Sequence, residues 1–263
     1  MTSNISLEEL SLCGSPYKIY QDKSKFCFGI DAVLLADYAK GIHGKKICDL
    51  CTGNGIIPIL LAGIIKAQEI HGIELQKDIA DLAKESVTLN NLNDRIKIFE
   101  GNLKDATSIL EKNTYDAVTV NPPYMKNDST VKENPISIAR QEIHCTLEDV
   151  LKSSADLLKS NGKFFMIHRP NRLGEIFILL EKYNLGARRI RLVQPKKNKK
   201  PTMVLLEAEK CLHPELIVEP ALTVYKDSGI YTEEINEIYR RNKKKVSLDK
   251  EATEKVSKMS LSG

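Results

Sequence analysis

Asn121-Pro122-Pro123-Tyr124 is the sharpest chemical signal in the chain. It follows Tyr115 to Val120, an apolar run that reads as a buried strand. The two prolines fix φ and remove two backbone donors, which leaves a stiff turn whose carbonyls are free to accept. An amino group conjugated to a ring is a poor nucleophile because its lone pair is delocalised. If the Asn121 side-chain oxygen and the Pro122 carbonyl both accept its hydrogens, the lone pair points at an incoming electrophile and positive charge developing on nitrogen is stabilised. No strong general base is needed. Tyr124 adds a flat face on which a splayed-out base can stack, worth ~1–3 kcal/mol. The plain alternative is a β-turn with an exposed tyrosine.

A second constellation lies upstream. Asp49-Leu50-Cys51-Thr52-Gly53-Asn54-Gly55 reads as a strand ending in an acid and running into a glycine turn, with Glu74 closing the next strand. Gly53 and Gly55 let the backbone turn tightly and approach a ligand. Glu74 suits a carboxylate accepting from two ribose hydroxyls. Nicotinamide dinucleotide enzymes share both features, but here Pro58 stands where their fingerprint has its third glycine. A carboxylate at Asp49 would repel a pyrophosphate and could hold the ammonium of a methionine moiety. The pattern therefore favours S-adenosylmethionine. In the bland reading, Asp49 and Glu74 are solvated strand ends.

These residues need a scaffold. Strands are expected at Lys46 to Leu50, Glu69 to Glu74, Ile96 to Glu100, Tyr115 to Val120, Lys163 to His168, Arg189 to Val193 and Met203 to Ala208. Helices are expected at Phe28 to Ala39, with Asp31 as N-cap, from the glycine turn to about Lys66, and at Asp78 to Asn90, Thr146 to Lys159 and Leu173 to Tyr183. Strands alternating with helices imply an α/β fold with a mostly parallel, doubly wound sheet. The last two strands lack an intervening helix, so an antiparallel pair at one edge is expected. In such a sheet ligands bind outside the carboxyl ends of the strands, which is where both constellations fall.

Composition sets the class. The chain has 263 residues, 42% hydrophobic and 28% charged, which excludes disorder, collagen and a disulfide miniprotein. There is no basic signal region, and the longest apolar run, Ile56 to Ile65, is far short of the ~20 residues that span a bilayer. A cytoplasmic protein without membrane contact is expected. Six cysteines read as reduced thiols. Cys48 and Cys51 form a CxxC, but no second pair or histidines stand at ligand spacing, so Cys48 is assigned to the strand core, Cys51 to the turn, and no metal is expected. Residues 1–100 carry 11 basic and 13 acidic residues, 101–187 carry 11 and 11, and 188–263 carry 17 and 11. A near-neutral body with a basic final third points to a polyanionic partner there, against the alternative of a solvated lysine-rich face.

Asp49 to Gly55 together with Asn121-Pro122-Pro123-Tyr124 resemble motifs I and IV of the class I S-adenosylmethionine-dependent methyltransferases that modify planar-bound nitrogens. Phe26-Cys27-Phe28-Gly29-Ile30-Asp31-Ala32-Val33-Leu34-Leu35-Ala36 resembles the N-terminal motif of the bacterial tRNA1(Val) (adenine-37-N6)-methyltransferase family. Arg191-Leu192-Val193-Gln194-Pro195-Lys196, Leu222-Thr223-Val224-Tyr225 and Gly229-Ile230-Tyr231-Thr232 are similar to its Gram-positive-type members. The resemblance covers roughly residues 10 to 240. It implies a Rossmann-like seven-stranded sheet in a single domain, residues 1–245, with residues 1–30 as an N-terminal cap segment and 188–245 as a basic RNA-facing region. Residues 246–263 are expected to form a flexible tail. It also implies that Phe28, Gly29 and Asp31 flank the methionine end of the cofactor, that Cys51 lies in the cofactor loop, and that Asn102 and Leu103 approach the adenine ring. Asn102 departs from the family's more usual Asp. Asn121 would serve both substrate and cofactor.

Arg188, Arg189, Arg191, Lys196, Lys197, Lys199 and Lys200 include no acid among them, and Pro195 and Pro201 bracket the lysines. They are expected to meet phosphates, as is a second run at Arg240, Arg241 and Lys243 to Lys245. The leading expectation is a monomeric tRNA adenine-N6 methyltransferase. Its rivals are protein glutamine-N5, rRNA guanine-N2 and DNA adenine methyltransferases sharing the Asn-Pro-Pro-Tyr turn, and an RNA-binding module retaining the fold without turnover. Only about 25 residues precede the first cofactor motif, which argues against the glutamine enzymes with their N-terminal helical domain.

Overall fold

The computed structural model describes residues 5–10, 17–24, 27–44, 46–65, 67–123, 145–211 and 214–240. Tyr124, the basic residues from 241 onward and the 246–263 tail lie outside the described residues. Two short strands, β1 (Ile5–Leu10) and β2 (Tyr17–Asp22), pair antiparallel as a separate hairpin sheet that the sequence reading did not anticipate. The main body alternates α1 (Ile30–Tyr38), β3 (Lys46–Leu50), α2 (Ile56–Ile64), β4 (Glu69–Glu74), α3 (Lys77–Leu89), β5 (Ile96–Glu100), α4 (Ala106–Ile109) and β6 (Tyr115–Val120). After residue 144 come α5 (Leu147–Leu157), β7 (Leu158–His168), α6 (Leu173–Lys182), β8 (Gly186–Lys196), β9 (Met203–Glu209), β10 (Ile217–Tyr225) and α7 (Glu233–Arg240).

Among the described residues the main sheet has eight strands in the order β10-β8-β9-β7-β6-β3-β4-β5, and β9 alone runs against the rest. The doubly wound α/β architecture is as expected. The antiparallel pair β8–β9 is also present, but it is not the edge: β10 adds to β8 in parallel and becomes the outermost strand. From β3 the chain winds one way through β4 and β5 and the other way through β6 and β7. The switch point therefore lies between β3 and β6.

Buried strands explain the apolar runs. On β7, Phe165 and Ile167 join the layer of α1 and α2, while Phe164 and Met166 join that of α5 and α6, and all four are at most 1% exposed. This is the period-two alternation of a strand covered on both faces. α1 is buried all round from Asp31 to Tyr38, packed on the sheet and against α2 and α7. α3 is amphipathic, with Ile79, Ala80, Leu82, Ala83, Ser86 and Val87 inward. Pro58 sits in the first turn of α2, where no intrahelical donor is lost. At the other end of α2, the Arg95 guanidinium donates to the carbonyls of Ala62, Ile65 and Ala67, satisfying the acceptors a helix end leaves over.

The N-terminal hairpin is clamped to α3 by one amide. Asn90 Oδ1 accepts from Lys18 N at 2.8 Å, and its Nδ2 donates to Lys18 O and Ser86 O, both at 2.6 Å. Ser86 Oγ accepts from Tyr20 N. Asn90→Ala is expected to cost about 1–3 kcal/mol by leaving partly buried backbone groups unpaired. Amide exchange should show protection lost selectively at Lys18, whose acceptor is removed, with Tyr20 still held by Ser86 Oγ, and unchanged protection at Lys18 would refute the clamp.

Candidate active site

Strand register places the site residues along one rim. Leu50 is level with Ile73 on one side and Val120 on the other, so Cys51, Glu74 and Asn121 leave the sheet side by side at its carboxyl edge. Neighbouring strands lie ~4.8 Å apart. Glu74 is level with Glu100, and Asn102 and Leu103 follow two and three residues later.

Asp49 is fully buried. Its Oδ1 accepts from Thr119 Oγ1 at 2.6 Å and its Oδ2 from Thr52 Oγ1 at 2.7 Å. Burial pushes its carboxyl up to about 7, the two hydroxyls pull it down, and the Glu74 charge raises it again. Glu74 Oε2 accepts from Gly53 N at 2.9 Å and Oε1 from Gln76 N at 3.0 Å. Burial raises its carboxyl as well, opposed by these backbone donors. The Gln76 side chain and the Leu75 backbone donate to it as well, so Glu74 braces the glycine turn against the start of α3. Neither acid is a solvated strand end.

Cys51 (φ 57), Gly53 (φ 56) and Gly55 (φ 85) all adopt the left-handed region. A side chain on Gly55 would also press on Ala83 at 3.3 Å, whereas one on Gly53 would meet no atom within 4 Å. The turn is thus shaped to leave open space above Gly53, flanked by two buried carboxylates. Left-handed Cys51 carries a cost of order 1–3 kcal/mol, a strain found where a ligand is to be cradled. Its thiol hydrogen-bonds Cys145, and this contact, with burial, holds it well above its ordinary 9. It remains a neutral thiol. Cys48 is buried in the strand core as expected.

Phe28 is half-buried, its N–H donating to Oε1 of buried Gln21 at 3.1 Å. The same strand carries Tyr20, whose carbonyl accepts from Asn54 Nδ2 at 3.1 Å, so β2 joins the Phe28 segment to the glycine turn. The cap of α1 is Gly29, not Asp31. Asp31 lies in the first turn, buried, with Oδ1 accepting from Ala32 N, and a Cβ on Gly29 would come within 2.8 Å of that oxygen. Asn102 Oδ1 accepts from Lys104 N, and Leu103 is buried with its carbonyl taken by Ser153 Oγ. Asn121 is half-buried, Pro122 buried and Pro123 half-buried.

The basic stretch divides by strand face. Arg189 pairs with Glu207 at 2.7 Å and Glu219 at 2.9 Å and stacks 4.1 Å from the Tyr38 ring centroid. Arg191 pairs with Glu234 at 2.8 Å and donates to Pro220 O. Arg188 is exposed but lies 3.3 Å from Glu209. Each of these arginines meets a carboxylate within the protein. Lys196 Nζ donates to Asp227 O. Lys197, Lys199 and Lys200 are exposed in the β8–β9 loop.

Residues 28–183 match the family described as methyltransferase small domain. The chain belongs to that family. This methyltransferase is similar to the tRNA1(Val) (adenine(37)-N6)-methyltransferase of Bacteroides thetaiotaomicron, 28% identical over 228 residues, covering 85% of this chain and 94% of the relative. It is similar to the protein of the same name from Tolumonas auensis, 28% identical over 195 residues, 72% of this chain and 79% of that one. Among solved structures it resembles a protein of Agrobacterium tumefaciens described as a predicted O-methyltransferase (TM-score 0.65, 21% identity, 79% of this chain and 94% of that). It also resembles M. jannaschii TYW2 in complex with AdoMet (TM-score 0.56, 16% identity, 80% and 87%). These structures share the methyltransferase fold. Among the described residues no helix is long and apolar enough to cross a membrane, and no group of three or more His, Cys, Asp or Glu could hold a metal.

Thr119 escaped the sequence reading. It is the Cα partner of Asp49 across β3–β6 and stands two residues before Asn121. A lone hydroxyl within the apolar run Ala117 to Val120 was the available sign.

Proposed function

We propose that this methyltransferase uses S-adenosylmethionine to methylate N6 of an adenine in tRNA, at position 37 of a valine tRNA anticodon loop. The reading is carried by the placement of the Asn121-Pro122 turn beside the Asp49 turn at the sheet's switch point, in a chain whose curated relatives bear that name. The open space above Gly53 fits the cofactor: Asp49 would face its methionine ammonium, Glu74 its ribose, and Asn102 and Leu103 its adenine. When bound, S-adenosylmethionine supplies an electrophilic methyl on a sulfonium. Asn121 Oδ1 and the Pro122 carbonyl accept from the adenine amino group and orient its lone pair, so catalysis is orientation plus electrostatics. Tyr124 would stack the base, and an unpaired loop base enters at little unpairing cost. The proton leaves to solvent. Thr119 ties Asp49 to the strand that leads into Asn121 and keeps the two halves of the site in register.

Labelled methyl transfer to bulk tRNA from a strain lacking the gene, followed by nucleoside analysis, tests this. The expected label is in N6-methyladenosine. Label in a guanosine product, in DNA or in protein would overturn the proposal.

A further inference from the structure

The basic loop crowns a wall. Leu192 and His168 both stand opposite Val204, while Asn121 follows Val120, the partner of Met166. Lys196 therefore extends four residues beyond the rim at which the active-site turns lie, or ~13 Å at ~3.3 Å per residue. β10 rises with it, Tyr225 opposite Lys196. Four strand spacings separate β10 from β6, so this wall stands ~19 Å to one side of Asn121. Because β10 and β8 run parallel to β6, its top is on the same side of the sheet as the active site.

Three tyrosines stack against the top of the wall. Tyr225 stacks on Tyr231 with centroids 5.2 Å apart and planes at 18°, and Tyr231 on Tyr239 at 5.5 Å and 27°. The column is fixed by backbone. Lys226 N donates to Ile230 O and Gly229, at φ +85, turns the chain so that Tyr231 bridges back to Tyr225. Thr232 Oγ1 donates to Thr223 O, and α7 carries Tyr239 on a helix anchored by buried Ile235 and Ile238. Yet Tyr225 is 36% exposed. A rigid aromatic column that ends in solvent is more than core packing requires. Of the neighbouring acids, Glu233 is paired with Lys226 and Glu234 with Arg191, leaving exposed Asp227 and Glu237 against three lysines of the loop.

We infer that this column and the loop above it form a second RNA contact, in which an unpaired base several nucleotides from the methylation site stacks on Tyr225 while adjacent phosphates meet Lys197, Lys199 and Lys200. The inference rests on the proposed tRNA substrate. Stacking on an aromatic ring tolerates any base, and the lysines read only phosphate, so this contact supplies affinity and orientation rather than sequence choice.

Equilibrium binding of unmodified tRNA to the full chain at several salt concentrations is the test. Tyr225→Ala is expected to weaken binding about 5- to 150-fold, the worth of one base stack, with Tyr225→Phe within about twofold of the unaltered protein. Replacing Lys197, Lys199 and Lys200 by alanine should flatten the slope of log affinity against log salt by about 2. Equal affinity in Tyr225→Ala and the unaltered protein overturns the inference, as does an equal loss in Tyr225→Phe. An unaltered protein that neither binds nor methylates tRNA overturns the proposed function and this inference together. One that does both while Tyr225→Ala binds as tightly overturns this inference alone.

Discussion

Asn121→Ala is expected to slow methyl transfer about 100- to 1000-fold, the usual cost of removing one preorganised group from a site of developing charge. Asn121 stands just past the buried end of β6, held between stiff Pro122 and Val120. Alanine there leaves the strand's apolar packing untouched, so the loss should fall on chemistry. Under the proposed mechanism the cofactor still finds Asp49, Glu74 and the glycine turn, and the base still finds the stacking face. Single-turnover rates at saturating cofactor and tRNA should therefore drop while cofactor affinity stays within a few-fold. A variant retaining a fifth or more of the normal rate would remove Asn121 from the mechanism.

Asp49→Asn should move stability and cofactor binding in opposite directions. With Asp49 raised from its ordinary 3.8 to about 7, the folded protein holds a proton between those values that the unfolded chain has released. This contribution to stability is fully present below about pH 4 and lost as pH rises through about 7. By pH 8 the ionised carboxylate costs on the order of 4 kcal/mol. Asparagine keeps the shape, can accept from Thr119 and donate to Thr52, and has no charge to desolvate. The variant should melt several degrees higher at pH 8, with the advantage shrinking towards pH 5. Its affinity for S-adenosylmethionine should fall about 10- to 150-fold, the worth of a charge-assisted hydrogen bond. The unaltered protein should bind the cofactor more tightly as pH rises through about 7, because the carboxyl must ionise to meet a cation. Calorimetric titrations and melts at pH 5 and pH 8 would check both. Equal melting at pH 8 with unchanged affinity would refute this role for Asp49.

What the sequence made legible follows from how each feature is encoded. β6 announces itself through the apolar residues Ala117, Val118 and Val120, β3 and β4 through short stretches that lead into the glycine turn and the Glu74 acid, and the turn itself because the φ values of Gly53 and Gly55 favour glycine. Thr119 stayed hidden because its partner lies on another strand, 70 residues away, and only register brings them together. The carboxylate partners of Arg189 and Arg191 stayed hidden for the same reason. In linear order the two arginines extend a basic run, but strand periodicity turns them to one face, where β9 and β10 present Glu207 and Glu219. β10 itself was obscured by Pro220, which argues against a strand interior. Asp31 looked like a cap because it precedes an apolar helix, whereas the cap is Gly29, two residues earlier, and the helix begins at Ile30.

The position of Pro220 has a further result for the behaviour of the molecule in concentrated solution. An outermost strand that begins with exposed Ile217 and Val218 would ordinarily template the addition of a foreign strand. Here Pro220 withholds a donor, and the register slips between Glu219 and Leu222. The free edge is therefore interrupted partway along, and β10 closes the sheet against edge-to-edge aggregation while leaving Tyr225 exposed at its far end.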